Sequence, residues 1–147
     1  LATNEVPADS KNIVPVNSEI RKDLNILLAE DNQFNQMVAE DTLRMMIPDL
    51  TLDIVDNGVQ AIEKLKSGAY DLVILDIHMP EMDGYETTQY IRTQMPSPLN
   101  SVPIMAMTAN VIAEEIDKCF AVGMNAYVSK PFTHEDLMDK IKALTRK

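Results

Sequence analysis

Cysteine and histidine are scarce in this sequence, and their scarcity excludes two kinds of site. Cys119 is the single cysteine, so no internal disulfide can form, and we expect it to be a packing residue. The two histidines, His78 and His134, are too few to build a zinc cluster of cysteine and histidine ligands. This cysteine usage fits a reducing, cytoplasmic setting.

Long apolar runs and an excess of positive charge are also missing. No stretch of about eighteen apolar residues occurs, and the N-terminus lacks the pattern of a signal peptide, so we expect neither a membrane span nor a secretion signal. Thirteen lysines and arginines stand against twenty-three aspartates and glutamates, a net charge of −10. This balance argues against direct contact of the domain with nucleic acid or with an anionic membrane.

The length of 147 residues predicts one domain with a short appendage. Residues 1–23 carry prolines and no sustained period, so they are predicted to be a linker or a disordered N-terminal segment, and residues 24–147 the domain. The alternation of Ile13, Val14 and Val16 leaves open a short strand along the domain edge. Because the sequence begins with Leu1 rather than Met, we expect a piece of a larger protein, whose parent could be membrane-anchored.

Five short apolar runs alternate with five amphipathic stretches in the predicted domain. Asn57, Asp83 and Asn110 are candidate N-caps, and Gly68 and Gly123 stand where helices would end. The order is (βα)5, and strands this apolar require a parallel sheet covered on both faces, which predicts an α/β doubly wound fold. The predicted strands are 25–29, 51–55, 71–75, 103–107 and 126–129, and the predicted helices are 34–46, 59–67, 85–94, 111–121 and 135–144.

In such a sheet, ligands bind at the carboxyl ends of the strands. Three carboxylates meeting there would repel each other unless they share a cation, and oxygen ligands favour Mg²⁺, with Mn²⁺ as an alternative. An amine and a hydroxyl beside the cation would suit the oxygens of a phosphoryl group. Taken singly, the acidic pair after the first strand could be a helix cap, and the threonine a turn residue. The residues at these strand ends are Glu30, Asp31, Asp76, Thr108, Ser129 and Lys130.

Four motifs occur together in residues 24–144: LLAEDN (27–32), LVILDIHMPEMDG (72–84), IMAMTAN (104–110) and the pair Lys130-Pro131. With them the sequence resembles the receiver domain of two-component response regulators. It is most similar to the receivers of hybrid histidine kinases. The resemblance implies a flavodoxin-like fold with five parallel strands in the order 2-1-3-4-5.

The resemblance also implies roles for individual residues. Asp76 would accept a phosphoryl group from a phosphohistidine, and Thr108 and Lys130 would contact the phosphoryl oxygens. Glu30, which stands where many receivers have aspartate, would hold Mg²⁺ together with Asp31, Asp76 and the backbone carbonyl of His78. We do not expect the imidazole of His78 to act in catalysis, because the family uses this position through its main chain.

The resemblance further implies a cis peptide bond between Lys130 and Pro131 and a switch that couples Thr108 to Tyr127. Phosphorylation would draw the Thr108 hydroxyl toward the phosphoryl group, and the ring of Tyr127 would turn inward. The implied partner is a histidine kinase or a histidine phosphotransfer domain, while the oligomeric state is left open.

The first helix carries a possible partner surface. Its core-facing stripe is predicted to be Asn35, Val38, Ala39, Thr42, Leu43 and Met46. Phe34 and Met37 lie on a neighbouring stripe with Asp41 and Met45 and have no evident need to be buried there. We predict that Phe34 and Met37 dock a helical bundle carrying the phosphohistidine. The alternative is that these two side chains fold against the adjoining loops.

Three other functions compete with a phosphorelay receiver. A phosphotransferase of the haloacid dehalogenase type would need a second aspartate two residues after Asp76, where His78 stands. A flavodoxin-like cofactor carrier would need a phosphate-binding loop where Glu30 and Asp31 stand. A pseudo-receiver would only bind proteins. Whether the chain counts as an enzyme stays open, because a receiver at most dephosphorylates itself while its parent could be a hybrid histidine kinase.

Overall fold

Five parallel strands and five helices alternate along residues 23–145, the part of the chain that the computed structural model describes. None of the helices in this part of the chain is both long and apolar enough to cross a lipid bilayer. A short 3-10 helix, Leu99–Ser101, precedes the fourth strand. The strands are β1 Asn25–Ala29, β2 Thr51–Val55, β3 Leu72–Asp76, β4 Ile104–Thr108 and β5 Ala126–Ser129, and the helices are α1 Gln33–Met46, α2 Gly58–Ser67, α3 Gly84–Gln94, α4 Ala113–Val122 and α5 His134–Thr145.

The sheet has the strand order β2-β1-β3-β4-β5, which confirms the predicted doubly wound topology. Ala29, at the end of β1, lies between Val55 of β2 and Leu75 of β3, and Asp76 lies beside Met107 of β4. The register therefore brings the carboxyl ends of all five strands to one edge. Residues 1–22 lie outside the described part of the chain, so the predicted linker at residues 1–23 stays a prediction. The strand considered at Ile13, Val14 and Val16 falls in the same segment and also stays a prediction.

Helices cover both faces of the sheet, and each face has its own apolar core. Residues alternate along β1, so Ile26 and Leu28 face α1 and α5, while Leu27 and Ala29 face α2, α3 and α4. All residues of β3 and β4 are buried, as a parallel sheet covered on both faces requires. Cys119 is fully buried in the core between the sheet and helices α2, α3 and α4, which confirms it as a packing residue. Burial raises the pKa of its thiol.

Most of the predicted helix ends are confirmed. The side chains of Asn57 and Asp83 cap α2 and α3, and Asp83 forms a reciprocal capping box with Glu86. Gly123 ends α4 with a φ of 111°, a left-handed conformation that favours glycine. Gly68 ends α2.

The predicted cap at Asn110 is wrong, because α4 begins at Ala113 and follows Ile112, which makes no side-chain cap. The Asn110 backbone is held instead in a turn directly after β4. Its N–H donates to Oγ1 of Thr108 at 3.1 Å, and its carbonyl accepts from the same hydroxyl at 2.8 Å.

The inner face of α1 is narrower than predicted. Ala39, Leu43 and Met46 are buried against the sheet, whereas Asn35 and Thr42 are only partly buried. The prediction that Val38 packs on the sheet is wrong, because its side chain is 39% exposed and lines an open groove at the margin of the helix. Phe34, Met37 and Met45 are exposed, as their position outside the stripe predicts.

Candidate functional site

An acidic cluster lies at the carboxyl ends of two adjacent strands. Glu30 and Asp31 follow β1, and Asp76 is the last residue of β3, which pairs directly with β1. One carboxylate oxygen from each of the three residues lies within 4.8 Å of the other two. Glu30 and Asp76 are buried while Asp31 is exposed, so the cluster is open to solvent on one side.

Lys130 directly follows β5, an edge strand of the sheet, and its side chain reaches this cluster. Its Nζ lies 3.1 Å from Oδ2 of Asp76 and 3.2 Å from Oε1 of Glu30. Burial alone would lower the pKa of this ammonium, but the charges and hydrogen bonds of Asp76 and Glu30 outweigh burial and raise the pKa. The lysine therefore stays charged, and one positive charge faces three carboxylates. The peptide bond between Lys130 and Pro131 is cis, as predicted.

The two buried carboxylates are also held by the backbone of the loops that follow them. The N–H of His78 donates to Oδ1 of Asp76 at 3.3 Å, and the N–H of Asn32 donates to Oε2 of Glu30 at 3.0 Å. The imidazole of His78 is solvent-exposed and lies 3.8 Å from Oε2 of Glu115 on α4. The side chain therefore faces α4, and the expectation that this position acts through its main chain stays a prediction.

Thr108 and Tyr127 lie on adjacent strands, but no hydrogen bond joins their side chains in the described part of the chain. The Thr108 hydroxyl is buried and is engaged by Asn110. The half-buried ring of Tyr127 makes an edge contact with Phe120, with the ring centroids 6.5 Å apart, and Nζ of Lys140 lies 4.9 Å from the tyrosine centroid. The Thr108 side chain is thus bonded within the turn that follows β4, whereas the Tyr127 ring contacts residues of α4 and α5.

An apolar groove opens beside the acidic cluster, between α1 and the loop from β5 to α5. Phe34 is 69% exposed and Met37 58% exposed, so neither is folded away against the adjoining loops. The groove has a volume of about 590 Å³ and shares two charged residues with the cluster. Its lining consists of Glu30, Phe34, Asn35, Val38, Met107, Ala109, Lys130, Pro131 and Phe132.

Sequence reasoning did not single out Gln36, which contacts the backbone of the acidic pair. Its Nε2 donates to the carbonyl of Glu30 at 2.6 Å and to Oδ1 of Asp56 at 3.0 Å. The only sequence signal for this contact is that Gln36 is a polar residue in the first turn of the helix after the acidic pair. It does not distinguish Gln36 from Gln33, which lies in the same turn.

Comparison with known protein families matches residues 26–142 to the response regulator receiver domain. The chain belongs to this family. As a receiver domain it is a module of a two-component phosphorelay, which decides against the haloacid dehalogenase and flavodoxin-like alternatives.

Full-length relatives of the receiver domain include sensor kinases of plants and bacteria. The chain is 37% identical over 138 residues to Histidine kinase 5 of Arabidopsis thaliana, an alignment that covers 78% of this chain and 15% of that protein. It is 35% identical over 144 residues to the sensor protein EvgS of Escherichia coli K12, covering 98% of this chain and 11% of EvgS. The receiver therefore spans a small part of the length of these relatives.

Solved structures agree with the fold of the receiver domain. The receiver domain of a sensor histidine kinase from Pseudomonas aeruginosa PAO1 superimposes with a TM-score of 0.76 and 34% identity, over 85% of this chain and 99% of that one. That structure has a magnesium ion coordinated in its active-site cleft. The chemotaxis response regulator CheY4 of Vibrio cholerae, 24% identical over 83% of this chain and 98% of its own, shares the fold with a TM-score of 0.74.

Proposed function

We propose that Asp76 is the residue that accepts the phosphoryl group from a phosphohistidine. The observation that supports this most directly is the approach of Lys130 to the carboxylate of Asp76 at 3.1 Å, inside a cluster of three acids. One backbone N–H and one ammonium hold this buried carboxylate, and the cluster is exposed to solvent at Asp31. Such an arrangement suits an oriented nucleophile that a phosphodonor can reach.

In the proposed transfer, a carboxylate oxygen of Asp76 attacks phosphorus in line with the bond to the imidazole nitrogen of the donor. A new oxygen–phosphorus bond forms, the phosphorus–nitrogen bond breaks, and its electron pair stays on the nitrogen. The Lys130 ammonium would move from its two carboxylate partners to a phosphoryl oxygen, and the hydroxyl of Thr108 would release Asn110 and bind another. Catalysis is then mainly positioning and charge neutralisation.

The donor set of the cluster fits a hard divalent cation. Oxygen atoms of Glu30, Asp31 and Asp76 lie close enough to share one ion, and no sulfur or imidazole ligand is among them. We propose that these residues and the backbone carbonyl of His78 hold Mg²⁺, with Mn²⁺ as a substitute. When bound, the cation neutralises charge on the phosphoryl oxygens.

The test of Asp76 is phosphorylation by a small-molecule acyl phosphate, followed by location of the modified residue by mass spectrometry. We expect one Mg²⁺-dependent modification at Asp76 in the wild type and none in Asp76→Asn. Asp49→Asn is the control, because Asp49 is exposed and lies outside the cluster. Modification of another carboxylate, or equal modification without a divalent cation, would contradict the assignment. No modification at all would favour a pseudo-receiver.

We further propose that Phe34 and Met37 form a docking patch for a helical bundle that carries the phosphohistidine, in a histidine kinase or a histidine phosphotransfer domain. Both side chains are exposed on α1, and Phe34 borders the groove that shares Glu30 and Lys130 with the acidic cluster. A helix packed along this groove would bring its own side chains to the cluster. We place this exchange in the cytoplasm, without contact of the domain to nucleic acid or membrane.

The docking patch is tested by comparing two phosphodonors. Phe34→Ala should slow transfer from the phosphohistidine partner and leave loading from the small-molecule donor unchanged. Met45→Ala is the matched control, since Met45 is 78% exposed at the other end of the same helix. If Phe34→Ala slows both reactions equally, Phe34 supports the site or the fold and the docking proposal is wrong.

A further inference from the structure

The backbone of Glu30 is held at its N–H and at its carbonyl by residues outside the proposed set of cation ligands. The N–H of Glu30 donates to the carbonyl of Val55 at 3.0 Å, which is the last bond of β1 to the neighbouring strand. The Glu30 carbonyl lies beyond the strand ladder and accepts instead from the Gln36 side chain at 2.6 Å. Without Gln36 this carbonyl would lose its only hydrogen-bond partner among the described residues.

The carbonyl of Glu30 matters for Asp31 because both belong to the same planar peptide unit. Fixing the plane of that unit fixes the direction in which the chain leaves toward Asp31. The Asp31 side chain is exposed and makes no hydrogen bond in the part of the chain that is described. Its placement beside Glu30 and Asp76 therefore depends on its backbone.

The Gln36 amide is itself anchored at its second proton. Nε2 donates to Oδ1 of Asp56 at 3.0 Å, and the N–H of Asp56 donates to Oε1 of Gln60 on α2 at 2.8 Å. Both protons of the amide are thus used, and the contact links the loop after β1 to the loop after β2. The cap of α1 is supplied separately by Asn32, so Gln36 is not needed to begin the helix.

We infer that Gln36 is a positioning residue for the cation site: its amide fixes the Glu30–Asp31 peptide and so sets the affinity for Mg²⁺. The inference rests on the proposed cation site at Glu30, Asp31 and Asp76. Residues that orient metal ligands from outside the ligand shell typically change metal affinity by about 10- to 100-fold when they are replaced. Gln36 acts on one of the ligands through its backbone, so we expect the lower end of this range.

The test is a calorimetric Mg²⁺ titration at constant ionic strength on the wild-type protein and three variants. Gln36→Met keeps the length and the helix propensity of glutamine but donates no hydrogen bond, and it should raise the Kd for Mg²⁺ about tenfold. Gln33→Met is the matched control in the same turn of α1, where the glutamine side chain makes no hydrogen bond among the described residues, and its Kd should stay within about twofold of the wild type.

Gln36→Glu separates positioning from charge. It is nearly isosteric but replaces the donor with a carboxylate that faces the Glu30 carbonyl and Asp56. Added negative charge alone would strengthen cation binding, whereas loss of the hydrogen bond weakens it. We expect weaker binding than in the wild type. In Gln36→Met, saturating Mg²⁺ should restore the rate of phosphorylation by a small-molecule donor, because Asp76 and Lys130 are unchanged.

The possible results separate the inference from the proposed function. If Gln36→Met lowers the melting temperature but leaves the Kd for Mg²⁺ unchanged, Gln36 is only a structural contact and the inference is overturned. Tighter binding in Gln36→Glu would overturn it as well. If the wild-type protein binds no Mg²⁺, the proposed cation site fails and the inference fails with it. Weaker binding in both Gln36 variants with an unchanged Gln33→Met supports it.

Discussion

Lys130 is the only cation that makes an ion pair with the acidic cluster among the described residues. It pairs with the two buried members, Glu30 and Asp76, and leaves the exposed Asp31 without an ion pair in the described part of the chain. Burying a carboxylate with a paired ammonium avoids the cost of an isolated buried charge. The repulsion that remains among the three carboxylates is therefore concentrated at Asp31.

Replacing Asp31 with asparagine should affect stability and cation binding in opposite directions. Asp31→Asn removes repulsion from the cluster, so the free energy of unfolding without Mg²⁺ should rise by up to about 1 kcal/mol. The Kd for Mg²⁺ should rise because a ligand is lost. Urea denaturation with and without Mg²⁺ measures both effects, and Asp49→Asn, an exposed acid outside the cluster, is the control. A variant that binds Mg²⁺ as tightly as the wild type would remove Asp31 from the ligand set.

Tyr70 makes stability depend on pH in the alkaline range. Burial, and then the hydrogen bond and charge of Asp53, raise its pKa from 10.0 to about 12. A raised pKa means that the folded state prefers the protonated phenol. Its contribution to stability is therefore complete below pH 10 and is lost as the pH rises to about 12.

We expect the free energy of unfolding of the wild-type protein to fall across this pH window and that of Tyr70→Phe to fall less steeply. Tyr85, whose pKa is also raised to about 12, mainly by burial, remains in the variant and keeps part of the slope. Denaturation curves at several alkaline pH values measure the two slopes. Equal slopes would show that the Tyr70–Asp53 contact is absent in solution.

At the scale of helices and strands, the site depends on how closely α3 approaches the end of β3. The first residue of α3 is Gly84, whose N–H donates to the carbonyl of Ile77 at 2.9 Å. A Cβ atom at this position would lie 2.7 Å from the carbonyl oxygen of Asp76, closer than side chains normally come. Any residue larger than glycine must push the helix and the strand end apart.

Gly84→Ala should therefore destabilise the fold by about 1–3 kcal/mol and slow phosphorylation of Asp76, because the carboxylate moves with its backbone. Gly68→Ala at the end of α2 is the control. Its Cβ would first meet a ring carbon of Tyr70 at 3.1 Å, the far part of a side chain that can shift, so the cost should stay below about 1 kcal/mol. Melting temperatures and loading rates of both variants provide the comparison, and equal effects would contradict it.

At the scale of the whole molecule, the active edge of the sheet is linked to the face of α4 and α5 through two adjacent strands. Thr108 ends β4 and pairs in register with Ser129 of β5, two residues after Tyr127. The Thr108 hydroxyl is occupied by Asn110, and the ring of Tyr127 is held by Phe120 and Lys140. Phosphorylation of Asp76 would compete with Asn110 for the hydroxyl.

We expect a phosphoryl mimic bound at Asp76 to break the hydrogen bonds between Thr108 and Asn110 and to change the rotamer of Tyr127. Crystal structures or NMR spectra of the free and bound forms measure the change. In Thr108→Val, which has no hydroxyl, the mimic should still bind but leave Tyr127 in place. An unchanged tyrosine in the wild-type complex, or an equal change in Thr108→Val, would refute the coupling.

The sequence alone determined the order of the elements, the parallel sheet and the residues at its carboxyl edge. These features depend on local patterns: apolar runs as short as strands, capping residues at helix starts, and acids directly after β1 and at the end of β3. The bounds of β1, β2 and β5 agree with the prediction, whereas β3 and β4 begin one residue later. At β4 the reason is physical, since Pro103 has no N–H to donate to the ladder.

Only the tertiary structure decided how these residues are combined. The ion pair between Lys130 and Asp76 joins residues 54 positions apart. The groove beside α1 is likewise lined by residues from distant parts of the chain, such as Val38 and Phe132. The use of Asn110 in a turn rather than a cap, and of Gln36 rather than Gln33 as the contact to Glu30, follows from which atoms the folded chain brings within hydrogen-bonding distance. Periodicity along a sequence specifies the face of an element, but the partner of each polar atom depends on the packing of distant segments.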